Sequence, residues 1–223
     1  MAWQNTIPAF QAPHAPEPNP SLNDLRFRAL LGKDEWDHLP AETRRRFSKR
    51  LADGKTAVYV GEIDAISFSL AGRCMVQLAR LIGGPLPIAD DVGVPMIVTV
   101  TEDIATGGQI WTRICARRDG FPQVIHSSKR FAGRTGLEEY VGFGISMALR
   151  MSVETEALIF HSSDYFFRLG VLKLRVPSLL TPGALTVTHS DLGHGLFRFT
   201  LEIIHPHFGP LVRQSAVFRE VTP

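Results

Sequence analysis

From Val94 to the C-terminus, apolar and polar residues alternate with a period of two, the mark of strands that bury one face. Three such runs come first, over residues 94–103, 109–118 and 121–131. Gly107-Gly108 and Asp119-Gly120 between them predict tight turns. The longest alternation follows: Leu137, Glu139, Val141, Phe143, Ile145, Met147, Leu149, Met151 and Val153. It predicts one bent strand or two, with Gly142 and Gly144 supplying the bend. A helix over 145–160 is the competing reading, because Met, Ala, Leu and Glu favour helix. Further turns are predicted at 133–136, at Ser162-Ser163-Asp164, at Pro182-Gly183, at Gly193-His194-Gly195 and at 205–209. They separate strands over 184–191, 196–205 and 211–221.

The first third follows a different rule. Five prolines within residues 1–20 remove amide donors and fix φ, so an extended arm is expected there. Ser21-Leu22-Asn23-Asp24 resembles a capping box that opens a helix ending at Gly32. Pro40 suits the first turn of a second helix, over 41–53, closed by Gly54. Leu39, Thr43, Phe47 and Leu51 would form its buried stripe. Arg44, Arg45, Arg46, Lys49 and Arg50 would form a basic face, either solvated or facing an anionic partner. A strand is expected over 55–69, with Gly61 marking a bulge. A helix over 70–82 would place Leu70, Cys74, Leu78 and Leu81 against the sheet. The fold class expected is α+β: a helical N-terminal third, then a strongly curved antiparallel meander or partly open barrel packed on a helix. The domains expected are an arm at 1–20 and a single domain at 21–223.

Composition narrows the function. The 223 residues suffice for one large core, and 44% apolar with 21% charged residues is a globular balance. A net charge of +2 argues against nucleic acid as a partner. No apolar run reaches membrane-spanning length, and the start Met1-Ala2-Trp3-Gln4-Asn5 lacks a signal peptide's basic and apolar regions. A cytoplasmic protein is expected. Cys74 and Cys115 lack zinc or redox spacing, and His205-x-His207 has no adjacent carboxylate, so no metal or cofactor is expected. The chain contains neither a Gly-x-Ser-x-Gly elbow nor a phosphate-binding glycine loop.

The remaining signal is polar residues on strands beside Phe- and Met-rich faces. Trp111 and Arg113 share a strand face, and a buried cation needs a carboxylate or a ligand anion. Trp111, Arg113, His126, Ser128 and Glu139 are therefore expected to orient the polar end of a ligand whose apolar part meets Phe143, Met147 and Phe199. Catalysis by Arg113, His126 and Glu139 is an alternative that requires the three to converge. An interaction protein using the basic helix or the proline arm is a further alternative.

Several motifs in fixed order carry a family resemblance. They are Phe27 to Gly32 followed by Trp36-x-x-Leu39-Pro40, Trp111-Thr112-Arg113, a strand with Ser127 and Ser128, Glu139-x-x-Gly142, and Phe197-x-Phe199 with Phe208 to Arg213. Together they resemble the bacterial domain-of-unknown-function family numbered 4166, over roughly residues 24–220. Members of that family stand alone or follow a saccharopine-dehydrogenase-like domain. The resemblance thus implies a separate oxidoreductase partner for any redox chemistry. Relatives carry a glycine-rich aromatic segment after Trp-Thr-Arg, where this chain has Ile114 to Phe121.

Overall fold

The computed structural model describes residues 23–221. The proline-rich arm and the first half of the expected capping box lie outside them.

Three short helices come first: α1 (Arg26–Leu31), α2 (Lys33–Asp37) and α3 (Ala41–Phe47). Gly32 ends α1 as expected, and Pro40 directly precedes α3. The helix expected over 41–53 is α3, which stops at Phe47, well short of residue 53. Lys49 is drawn instead into a bridge with Asn23 and an ion pair with Glu220. Strand β1 (Ala57–Phe68) leads into α4 (Leu70–Ala79), whose N-cap Ser69 accepts the Gly72 amide at 3.1 Å.

Ten strands then follow in three groups. The first is β2 (Pro95–Asp103), β3 (Gly108–Cys115) and β4 (Gln123–Arg130). The second is β5 (Glu138–Gly142), β6 (Ile145–Glu154), β7 (Ala157–Leu169) and the short β8 (Leu172–Arg175). Finally come β9 (Ala184–Gly193), β10 (Leu196–His205) and β11 (Gly209–Val221). The long alternation after Leu137 is thus two strands joined at Gly142-Phe143-Gly144, and the helical alternative is excluded.

All the pairings are antiparallel, in the order β6-β5-β4-β3-β2-β1-β11-β10-β9-β7-β8. Pairing of β6 with β7 joins the two sides, so ten strands form a closed barrel and β8 hangs outside it as a flap on β7. Closure corrects the expectation of a partly open barrel, and it leaves no ring strand with an unpaired edge. The helical N-terminal third is corrected too: β1 begins at Ala57, and among the described residues three short helices precede it.

The two ends of the barrel differ. Helices α1–α3 lie across the end where β1 starts and β11 finishes. Phe27 and Phe47 meet edge to face at 5.4 Å and pack on Phe160 from inside the barrel. Leu39, Thr43 and Phe47 are buried as the stripe predicts, whereas Leu51 is half-buried.

Helix α4 lies across part of the opposite end. It does not press Leu70, Leu78 and Leu81 into the sheet; these are exposed, and Gly72 and Val76 make the buried face. A Cβ on Gly72 would fall inside the Leu211 carbonyl, so only glycine lets the helix approach β11 this closely. Gln123 fixes the neighbouring rim by accepting the Ile88 amide at 3.0 Å and donating to the Leu86 carbonyl at 2.8 Å.

Candidate functional site

Inward-facing side chains leave a cavity of about 810 Å³ inside the barrel. This lies within the usual range for small-molecule sites. Its wall is mostly apolar: Met96 and Val98 from β2, Met147 from β6, Val187 from β9, Phe199 and Leu201 from β10. Residues of α4, the Pro85-Leu86-Pro87 segment, Leu179-Leu180 and Phe208 border the mouth. Leu78, Leu179, Leu180 and Phe208 there are largely exposed.

Polar groups gather toward the plugged end. On β4 the residues Ile125, Ser127 and Lys129 point inward, so His126 and Ser128 point out. Lys129 lies directly opposite Glu139 in the β4–β5 ladder, and its Nζ donates to Glu139 Oε2 at 2.8 Å. Both side chains are buried, at 6% and 7% exposure. Arg113 Nη1 donates to Ser127 Oγ at 3.1 Å, while its Nη2 stands 3.6 Å from Glu139 Oε1. Lys129 Nζ also sits 5.3 Å from the Trp111 ring and 5.2 Å from that of Phe160, within cation–π range. Trp111 in turn meets Phe199 edge to face at 5.9 Å across the interior.

This cluster is electrically uneven. Burial alone would push the Glu139 carboxyl up, but the Lys129 and Arg113 charges and the bonds from Lys129 and Ser127 overcome it and hold it at about 2. Lys129 is shifted down, first by burial and then by the Arg113 charge, against the pull of Glu139. Two cations therefore share one carboxylate. Higher on the wall, Gln214 is buried, and its Nε2 has no hydrogen-bond partner among the described residues.

Of the residues singled out from the sequence, Trp111, Arg113, Glu139, Met147 and Phe199 line the cavity. Three do not. His126 is exposed on the outer face, where its Nδ1 meets Thr112 Oγ1 at 3.0 Å. Ser128 is buried outside the cavity and donates to Asp103 at 2.6 Å. Phe143 sits exposed on the β5–β6 turn, facing Gly83. Arg113, His126 and Glu139 thus do not converge. Lys129 was missed, although strand parity with Ser127 and register with Glu139 would have found it.

The basic helix is largely matched by acids. Arg44 pairs with Asp37 at 3.8 Å, Arg45 with Glu42 and Glu220, and Lys49 with Glu220. Arg46 turns inward, 3.2 Å from Asp191 Oδ1 and 3.4 Å from His189 Nε2, and stacks over Phe197 at 4.2 Å. Burial, and then the Arg46 charge, pushes His189 down to about 3. Among the described residues, no helix is long and apolar enough to cross a membrane.

No curated protein and no solved structure matches the chain. One family model does, over residues 39–218, and that span takes in nine of the ten ring strands whole and nearly all of β11. The chain belongs to the family described as domain of unknown function DUF4166.

Proposed function

We propose that this barrel is a binding module for a hydrophobic or amphipathic small molecule, held in its interior. The observation that carries the reading is an apolar cavity of about 810 Å³, open at one end between exposed apolar side chains. A closed ring of strands could instead fill its centre with side chains; this one plugs one end with Phe27 and Phe47 and leaves the rest open. Apolar walls with a few convergent polar groups are the composition of ligand pockets, in which the polar groups fix orientation. The Met side chains on the wall adapt to the shape of an apolar guest. The catalytic arrangement of Arg113, His126 and Glu139 does not assemble, because His126 faces outward; the histidine that does line the cavity, His205, sits at the mouth end of β10.

Native mass spectrometry of the purified protein tests the proposal. The expected spectrum shows the chain plus one small molecule, released by denaturing solvent and recoverable in an organic extract. A bare chain that also takes up no apolar compound on incubation would refute it.

A further inference from the structure

The inference rests on the ligand-binding reading above and concerns the chemistry of the ligand. We propose that the cavity takes a monoanionic amphiphile, an apolar chain ending in one carboxylate, bound head inward against Arg113.

Charge is the first ground. Among the described residues, the Lys, Arg, Asp and Glu side chains that line the cavity are Arg113, Lys129 and Glu139. Two cations against one carboxylate leave one positive charge facing an apolar space. An unbalanced cation in such a space is unfavourable until an anion joins it.

Hydrogen bonding is the second ground. Glu139 is committed to Lys129 through Oε2 at 2.8 Å. Arg113 stands 3.6 Å from the other oxygen, beyond hydrogen-bond length, and its side chain keeps 25% exposure. Its one hydrogen bond among the described residues goes to Ser127 Oγ. A guanidinium has five N–H donors in a planar fork, so most of this fork is unspent. A carboxylate matches that fork with two parallel bonds.

Position is the third ground. Lys129 and Glu139 lie near the Phe160 end, which the N-terminal helices close, while Leu78, Leu179, Leu180 and Phe208 border the mouth. On β4, Gln123 holds the rim; Arg113 stands opposite Ile125, two residues further in, and its guanidinium reaches inward to Ser127 and toward Glu139, about 13 Å along the strand from the rim. A chain with its charged end inward therefore meets a mostly apolar wall on the way out, interrupted by Thr200, Gln214 and, near the mouth, His205.

The test uses the whole protein, stripped of bound molecules, titrated calorimetrically with dodecanoate, dodecan-1-ol and dodecyltrimethylammonium. Dodecanoate is expected to bind roughly tenfold or more tightly than the alcohol, as a charge-assisted pair implies, and the ammonium most weakly. Arg113→Gln is expected to erase the preference for the acid, so that dodecanoate falls to the affinity of the alcohol. A second readout needs no variant: the carboxyl carbon of bound ¹³C-dodecanoate should keep its ionised chemical shift well below the pH at which free dodecanoate protonates. Equal binding of acid and alcohol, or tighter binding of the ammonium, would overturn the charge assignment and leave the ligand-binding reading standing. If none of the three binds, both fail.

Discussion

Replacing Glu139 by Gln should be among the most destabilising single changes in the barrel that leave side-chain volume unaltered. The substitution strands the buried Lys129 ammonium, 2.8 Å from the lost charge, with Arg113 still beside it. Breaking a buried ion pair from one side costs about 3–5 kcal/mol. The Glu139 carboxyl gives a second route to the magnitude. It is held at about 2 in the fold, against an ordinary 4.5. At about 1.4 kcal/mol per pH unit, that gap is worth roughly 3 kcal/mol. The folded pKa is the lower one, so this stability is fully present above about pH 4.5 and is lost as pH falls toward 2. For a domain of this size, 3–5 kcal/mol corresponds to a fall in Tm of about 6–20 °C. Calorimetry at pH 7 and at pH 3 measures both effects: a large difference between wild type and Glu139→Gln at neutral pH, shrinking in acid. The double variant Lys129→Met with Glu139→Leu should recover most of the loss, because apolar replacements of a buried pair are often neutral or stabilising. A Glu139→Gln protein that melts within a degree or two of wild type at pH 7 would refute the buried pair.

Other consequences are independent of that pair. His189, pushed down to about 3 from 6.5, stays neutral in the fold while the unfolded chain takes up its proton. Stability should therefore fall below pH 6.5 by up to about 1.4 kcal/mol per pH unit, and His189→Gln should remove that slope between pH 6.5 and 4.5 in urea titrations. Cys74 is exposed, whereas Cys115 is buried with its thiol raised by burial to about 11. A thiol reagent should label one cysteine in the native protein and two in denaturant; rapid labelling of both would contradict the packing around Cys115. Gln214→Leu removes an unpartnered buried amide, so the empty protein should gain about 1–3 kcal/mol in chemical denaturation, and a loss of that size would show the amide to be satisfied.

Much of the barrel can be read from the chain, because a strand with one buried face must alternate. Leu196–His205 falls where its alternation begins and ends, between Gly193-His194-Gly195 and the turn before Gly209. The failures have local causes. Ser162-Ser163-Asp164 has the composition of a turn, yet lies inside β7 across the irregularity opposite Met147 and Leu149. There the Ser162 hydroxyl accepts the Leu185 amide at 2.9 Å, so a turn-forming side chain is used within the sheet. The actual reversal comes earlier, at Thr155 and Glu156, both at positive φ without glycine to announce it. The exposed leucines of α4 were unreadable for another reason: helical periodicity shows an apolar face but not whether it meets a sheet or the mouth of a cavity. The site failed by one residue of parity. His126 and Ser128 face out because Ser127 and Lys129 face in, and a period-two pattern gives no sign of which set the closed ring will enclose. Closure itself depends on the pairing of β6 with β7, which no local pattern records.

The central claim is that the barrel's interior is a binding space. Its most direct test is equilibrium binding of a fluorescent polyene fatty acid to the wild-type chain and to Ala216→Trp, which puts an indole into the cavity from β11. Saturable one-to-one binding by the wild type, lost in a variant that keeps the same far-ultraviolet circular dichroism, is the predicted result. Binding that survives the added indole unchanged, or none by either protein, would contradict it.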